Sequence, residues 1–291
     1  MYVSLMVLDI VYWNADPVLF SLGPIAVRWY GLMFAIGFTV GYMIVEKMFR
    51  HEGAPERWLG ILLAYLVVAT IVGARLGHVF FYEWDYYSKH LGEIPKIWNG
   101  GLASHGGTIA LMIALFLFSW FVTHKPASWV YDKVVIPIAL VGGLIRLGNL
   151  MNSEIYGSPT GLPWGFVFLR NGETVPMHPT QLYEALCYFA LFGLLMWMYW
   201  KRNAEERPWL ITGIFFIGIF LPRFLIEYVK NVQVDSEYDM IARYGMNIGQ
   251  MLSIPFILLG VFLVVWAMTH PKVKFSFPNR FPDHPKDKRK K

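Results

Sequence analysis

The chain has 291 residues, of which 56% are hydrophobic and only 15% charged, with a formal net charge of +5; an ordinary soluble domain is about 45–50% apolar and about 25% charged. A soluble enzyme of this composition would lack polar surface, and an aromatic content of 17% excludes an expanded, disordered chain. The composition is that of a polytopic membrane protein. Cys187 has no partner for an intramolecular disulfide, and no Cys or His spacing marks a zinc site. No metal or nucleotide cofactor is expected.

Taken in chain order, the first twenty residues carry Asp9 and Asp16 but no Lys or Arg. They lack the cationic flank of a cleavable signal peptide, so the N-terminus is expected to be retained. Apolar runs able to cross about 30 Å of hydrocarbon, roughly 20 residues each, occur at about 22–45, 58–82, 105–123, 133–151, 179–200, 209–228 and 247–269. They predict an all-α integral membrane fold of seven transmembrane helices. Pro137, Pro222 and Pro255 fall inside three of them, which membrane helices tolerate where neighbours satisfy the freed backbone groups. The membrane domain is expected over residues 1–269, with a basic tail over 270–291. Turn signals and short apolar runs in residues 152–177 predict a small periplasmic cap of strands.

The connections fix an expected orientation. With the N-terminus periplasmic, sixteen Lys and Arg lie in cytoplasmic loops and tail and five in outer segments, Lys230 among the five. That asymmetry follows the positive-inside rule and puts the C-terminus in the cytoplasm. The Lys-rich tail reads as a solvated end lying on anionic lipid, and no nucleic-acid partner is expected.

Four cations remain inside spans: Arg28, Arg75, Arg146 and Arg223. An Arg in a span costs about 2.5–3.5 kcal/mol on insertion scales, so each needs a polar cavity, a counter-charge or an interface. All four fall toward the periplasmic half of their spans and are expected to converge on one depth. Other polar groups are expected at that level: His105 at the start of the third span, His178, Gln181 and Glu184 in HPTQLYE, and Gln250 entering the seventh. Helix N-termini there favour an anion such as a phosphate.

The densest segment is GLIRLGNLMNSEIYG, residues 143–157. Arg146 and Asn149 share a helical face, and Asn152 and Glu154 follow where the helix unwinds toward Gly157. Arg146 either faces a ligand or pairs with Glu154 at the interface. Arg223 shares a face with Glu227, four residues on, which either neutralises it or helps it bind. His105 precedes Gly106 and Gly107, which let backbone approach a ligand. At a helix start its imidazole is biased toward the neutral form that a general base needs. His178 reads more readily as a turn or cap residue, and Tyr30 equally as an interfacial aromatic.

Together, RWYGLM at 28–33, GARLG at 73–77, GGLASHGG at 100–107, GGLIRLGNLMNSEIYG at 142–157, HPTQLYE at 178–184, RFLIEY at 223–228 and GQMLSIP at 249–255 closely resemble the bacterial prolipoprotein diacylglyceryl transferases. The resemblance runs in order from residue 17 to about 269. It implies an enzyme of the bacterial inner membrane with its site toward the periplasmic leaflet. Such an enzyme moves the diacylglyceryl group of phosphatidylglycerol onto the lipobox cysteine of a prolipoprotein signal peptide and releases glycerol phosphate. On the matching positions, Arg146 and Arg223 are the two essential arginines, and His105, Tyr30, Asn149, Glu154 and Glu227 belong to the site. Asn152, Gly157, Gln181 and Glu184 complete the expected substrate contacts. One position departs: Ile219 stands where some members have a tyrosine. The competing reading from another class is an anion transporter or channel lined by the arginines; it predicts polar residues through the full membrane depth, whereas the inner halves of most spans are apolar.

Overall fold

Hydrocarbon offers no hydrogen bonds, so a spanning segment must close its backbone bonds within itself. The computed structural model describes residues 10–23, 25–231, 236–275 and 277, and these contain nine α-helices. They are α1 Trp29–Glu52, α2 Arg57–Phe81, α3 Trp84–Tyr87, α4 Ser104–Phe118, α5 Ala127–Met151, α6 Thr180–Arg202, α7 Leu210–Ile226, α8 Ser236–Tyr244 and α9 Ile248–Thr269. Seven helices, α1, α2, α4, α5, α6, α7 and α9, are long and apolar enough to cross a membrane. A π-helical turn, Ser119–Thr123, continues α4. Large apolar side chains such as Val68, Phe116, Leu258 and Phe262 stand exposed on these helices, as lipid contact requires.

The first span begins seven residues later than its hydropathy suggests, at Trp29 rather than at 22. Residues Val18–Leu22 (β2) and Ile25–Arg28 (β3) form an antiparallel hairpin instead. Gly23 takes φ +59 at its tip, and the flanking apolar and β-branched residues suit a strand as well as a helix. Arg28 therefore lies outside the span, exposed at the end of β3. The fourth span starts earlier than expected, at Ala127.

The chain divides into two compact units. Among the described residues, one unit holds those up to Gly41 together with Val134–Val273, and the other holds Tyr42–Lys133 with those from Lys274 onward. In the first, the small cap has strands as its turn signals suggest. Its partner comes from an unexpected place: Val11–Trp13 (β1) pairs in parallel with Phe166–Phe168 (β4). Phe166 also exchanges backbone hydrogen bonds with Met177. Leu150, Phe166, Phe168 and Met177 form the cap's buried cluster, with Val11, Trp13, Tyr156 and Leu182 packed on it. The Trp13 indole donates to the Leu150 carbonyl at 2.9 Å, tying the cap to the end of α5. Of the basic tail, Lys272 pairs with Glu206 at 3.2 Å; residues 278–291 lie outside those described.

In the second unit, α2 and α4 cross at glycines. A Cβ on Gly106 would lie 2.2 Å from the Gly73 carbonyl oxygen and 2.5 Å from the Gly77 Cα. The GARLG and SHGG motifs thus share one small-residue crossing, the usual means of close helix approach in lipid. At Gly106 the bare backbone serves that crossing.

Gly106→Val forces these helices apart and is expected to lower stability by about 1–3 kcal/mol or more. Gly60→Ala, on the open face of α2, should change it by about 1 kcal/mol at most, and favourably. Thermal unfolding of both variants in detergent checks this; equal stability would contradict the crossing.

Candidate active site

The site grows from the end of α5. Arg146 and Asn149 lie three residues apart on its last turns, with Arg146 Nη1 donating to Asn149 Oδ1 at 3.4 Å. Beyond Met151 the chain turns back through Ser153 at φ +55 and Ile155 at φ +60. For a β-branched residue that conformation costs on the order of 1–3 kcal/mol, so neighbours must hold it. The first turn of α6 does so: Thr180 Oγ1 donates to the Ile155 carbonyl at 2.9 Å, and Gln181 Nε2 to the Glu154 carbonyl at 2.7 Å. The reversed turn presents the exposed Glu154 carboxylate to Asn149 Nδ2 at 2.7 Å and Asn152 Nδ2 at 3.2 Å. Tyr30, in the first turn of α1, lays its ring on Gly148, where a Cβ would meet it at 2.9 Å. It lies in the fields of both Arg146 and Glu154.

Arg146 pairs not with Glu154 but with Glu184, fully buried on α6, at 2.8 Å from Nε to Oε2. The contact is an ion pair off the N–H axis rather than an aligned hydrogen bond. The other Glu184 oxygen lies 3.4 Å from Lys230 Nζ, and Lys230 lies 3.1 Å from Glu227 Oε1. Glu227 Oε1 in turn stands 3.7 Å from Arg223 Nε. Asn247, which caps α9 in a reciprocal capping box with Gln250, donates to Glu227 Oε2 at 3.2 Å. One chain of charges, Arg146, Glu184, Lys230, Glu227 and Arg223, therefore runs from α5 across α6 to the end of α7. The Tyr188 hydroxyl, one turn beyond Glu184, lies in the fields of Arg146 and Arg223.

Both arginines meet their carboxylates through Nε. Among the described residues, the terminal nitrogens of Arg223 make no hydrogen bond, and those of Arg146 make one, to Asn149. Two acceptors are likewise open: Asn152 Oδ1 and Gln181 Oε1 are buried without a hydrogen bond. Three cations against two carboxylates give the chain of charges a net +1, so it offers forked donors and excess positive charge to an anion.

The remaining residues take other places. Arg75 is buried and spends its guanidinium on backbone, donating to the carbonyls of Ile94 (2.7 Å), Glu93 (2.8 Å), Gly100 (2.7 Å) and Gly101 (3.3 Å). It organises the segment between α2 and α4 in the second unit. His105 belongs to that unit as well, exposed in the first turn of α4. His178 is a turn residue: its carbonyl accepts from Gly157 and Thr180, and its N–H donates to Ser158. Burial pushes its imidazole below the ordinary range. Gly157 is buried where backbones cross, its absent Cβ leaving room for the Val229 oxygen, which one would approach to 2.2 Å. Among the described residues, no three His, Cys, Asp or Glu side chains are grouped as a metal site needs.

A family model described as prolipoprotein diacylglyceryl transferase matches residues 17–266. The chain belongs to the prolipoprotein diacylglyceryl transferase family. It is 51% identical to the phosphatidylglycerol–prolipoprotein diacylglyceryl transferase of Porphyromonas gingivalis, over 90% of this chain and 96% of that one. It is 44% identical to the protein of that name from Chloroherpeton thalassium, over 91% and 97%. The Tolumonas auensis protein of the same name is 46% identical, over 88% and 96%. Placed in this diacylglyceryl transferase family, the charged chain includes two members that spacing alone did not single out. Lys230 counted among loop cations, although it follows Glu227 by three residues. Tyr188 shares a helical face with Glu184, four residues earlier.

Glu184→Gln leaves the buried Lys230 side chain and the half-buried Arg146 short of a counter-charge and is expected to cost about 3–5 kcal/mol. Glu154→Gln, at an exposed carboxylate, should cost less than about 1 kcal/mol. Chemical unfolding of both variants in mixed micelles checks the ranking, and equal losses would contradict the buried network.

Proposed function

We propose that this multi-pass membrane enzyme transfers the diacylglyceryl group of phosphatidylglycerol to the lipobox cysteine of a prolipoprotein signal peptide. The observation that carries the reading is the pair of guanidinium groups held side-on by buried carboxylates, with the terminal nitrogens of Arg223, and those of Arg146 beyond one bond to Asn149, unspent and suited to a phosphodiester. In the reaction a thiol sulfur forms a bond to the glycerol carbon, the carbon–oxygen bond to phosphate breaks, and the oxygen leaves with its electron pair. The phosphate passes from one negative charge toward two. A fixed cationic frame in apolar surroundings therefore binds the transition state more strongly than the lipid.

The thiol must lose its proton, since a free cysteine has a pKa near 8.5. His105 is the proposed acceptor, since an imidazole is the side chain whose ordinary pKa lies nearest neutral pH. Arg146 and Arg223 hold the phosphate. Asn152 Oδ1 and Gln181 Oε1 are acceptors for the hydroxyls of the glycerol headgroup, which suits phosphatidylglycerol. Its net negative charge matches the network's surplus of one positive charge, whereas a zwitterionic lipid brings a repelled ammonium. Asn149 and Glu154 fix Arg146 and the mouth of the site, and Tyr30 covers it. In this reading the enzyme lies in the bacterial inner membrane, and the asymmetry of Lys and Arg supports cytoplasmic Lys-rich connections and a site toward the periplasmic leaflet.

Vesicles containing phosphatidylglycerol and a lipobox peptide provide the test. Arg146→Lys and Arg223→Ala should each reduce thioether formation by about 100-fold, or about 2.7 kcal/mol, because an ammonium cannot make the forked contact and an alanine makes none. Full turnover in both would remove the clamp. His105→Gln should lower kcat while leaving the lipid KM near its original value; unchanged turnover across pH would remove His105 as the base.

A further inference from the structure

Between the two arginines lies a cation that a count of loop charges treats as solvated. Lys230 follows the short turn Glu227–Val229 after α7, yet its side chain is only 4% exposed. Its backbone is fixed by the signature segment: Gly157 and Lys230 form an antiparallel bridge, Ser158 donates to the Val229 carbonyl at 2.9 Å, and Asn231 to the Tyr156 carbonyl at 3.5 Å. Only a residue without a Cβ at 157 lets the two strands approach this closely. The ammonium so delivered reaches Glu184 Oε1 at 3.4 Å and Glu227 Oε1 at 3.1 Å. A lysine's three rotatable donors can serve two carboxylates on separate helices at once.

We infer that Lys230 is a positioning residue for the transfer, holding Glu184 and Glu227 so that Arg146 and Arg223 present their terminal nitrogens to the lipid phosphate. The inference rests on the phosphodiester reading above. Each carboxylate is now shared between a lysine and an arginine, and each arginine pairs with its carboxylate at Nε. Without the ammonium, two guanidinium groups face two carboxylates with no surplus charge. Each then closes into a bidentate fork, occupying the nitrogens that the phosphate requires. The defect falls on lipid capture, because the guanidinium nitrogens must first be freed from the carboxylates; once the lipid holds them, both arginines still meet the phosphate as its charge grows.

The experiment measures initial rates in vesicles of graded phosphatidylglycerol content at saturating lipobox peptide, with unfolding midpoints taken alongside. Lys230→Met is expected to raise the KM for phosphatidylglycerol by about 10-fold or more while kcat falls less than about 3-fold. Should that variant fail to fold, Lys230→Gln, which keeps two N–H donors but no charge, is read in its place and is expected to show the same split. A folded Met or Gln variant with its lipid KM within about 2-fold of the unaltered enzyme, beside inactive Arg146→Ala and Arg223→Ala, would overturn the inference and leave the clamp standing. Active Arg146→Ala and Arg223→Ala variants would overturn the clamp itself, and the inference with it.

Discussion

A charge buried among apolar helices persists only if an opposite charge or a set of dipoles meets it, because removing either partner leaves an uncompensated ion at a cost of several kcal/mol. That constraint orders the first unit. Arg146 rises from α5, and Glu184 answers it from α6 without solvent contact. Glu184 then needs Lys230, Lys230 needs Glu227, and Glu227 takes Arg223 and the cap residue of α9. Four helices and the strand crossing at Gly157 are thereby committed to one arrangement of charge. The strained turn at Ile155 belongs to it too, since it brings Glu154 and the start of α6 against the end of α5.

The same residue type does different work according to how its donors are used. Arg75 makes four hydrogen bonds to backbone carbonyls and lies over the Tyr87 ring at 4.9 Å, which leaves it little with which to hold a ligand. Arg223 makes one ion pair, at 3.7 Å through Nε. Unspent donors on a partly shielded guanidinium separate a binding arginine from a structural one more sharply than depth in a span does. The buried acceptors at Asn152 and Gln181 extend that logic to neutral groups.

Much of this was legible in the sequence, and the exceptions have physical reasons. Seven apolar stretches read directly as seven helices, because lipid imposes length and composition on every span. The Arg146, Asn149, Glu154 cluster was legible because its members lie within nine residues. Arg223 with Glu227 was legible because four residues make one helical turn. The hairpin at 18–28 was not, since hydropathy does not distinguish an apolar strand from the start of a helix. Arg28 was misplaced with it. The pairing of Arg146 with Glu184 joins residues 38 apart in sequence on separate spans, which no periodicity encodes. Lys230 was hidden for the opposite reason: a lysine after a span reads as solvated unless the strand beside it is known. A family resemblance supplied the chemistry, but the order of charges came from the folded chain.

The central claim is that the terminal nitrogens of both Arg146 and Arg223 close on one lipid phosphate. Solid-state NMR distance measurement between ³¹P of phosphatidylglycerol and ¹⁵N-arginine of the reconstituted enzyme tests it most directly. Two guanidinium groups in hydrogen-bond contact place their nitrogens within about 5 Å of phosphorus, and the account predicts dephasing from two arginines, one lost in Arg146→Lys and the other in Arg223→Lys. Dephasing unchanged in both variants, or absent from the unaltered enzyme, would contradict it.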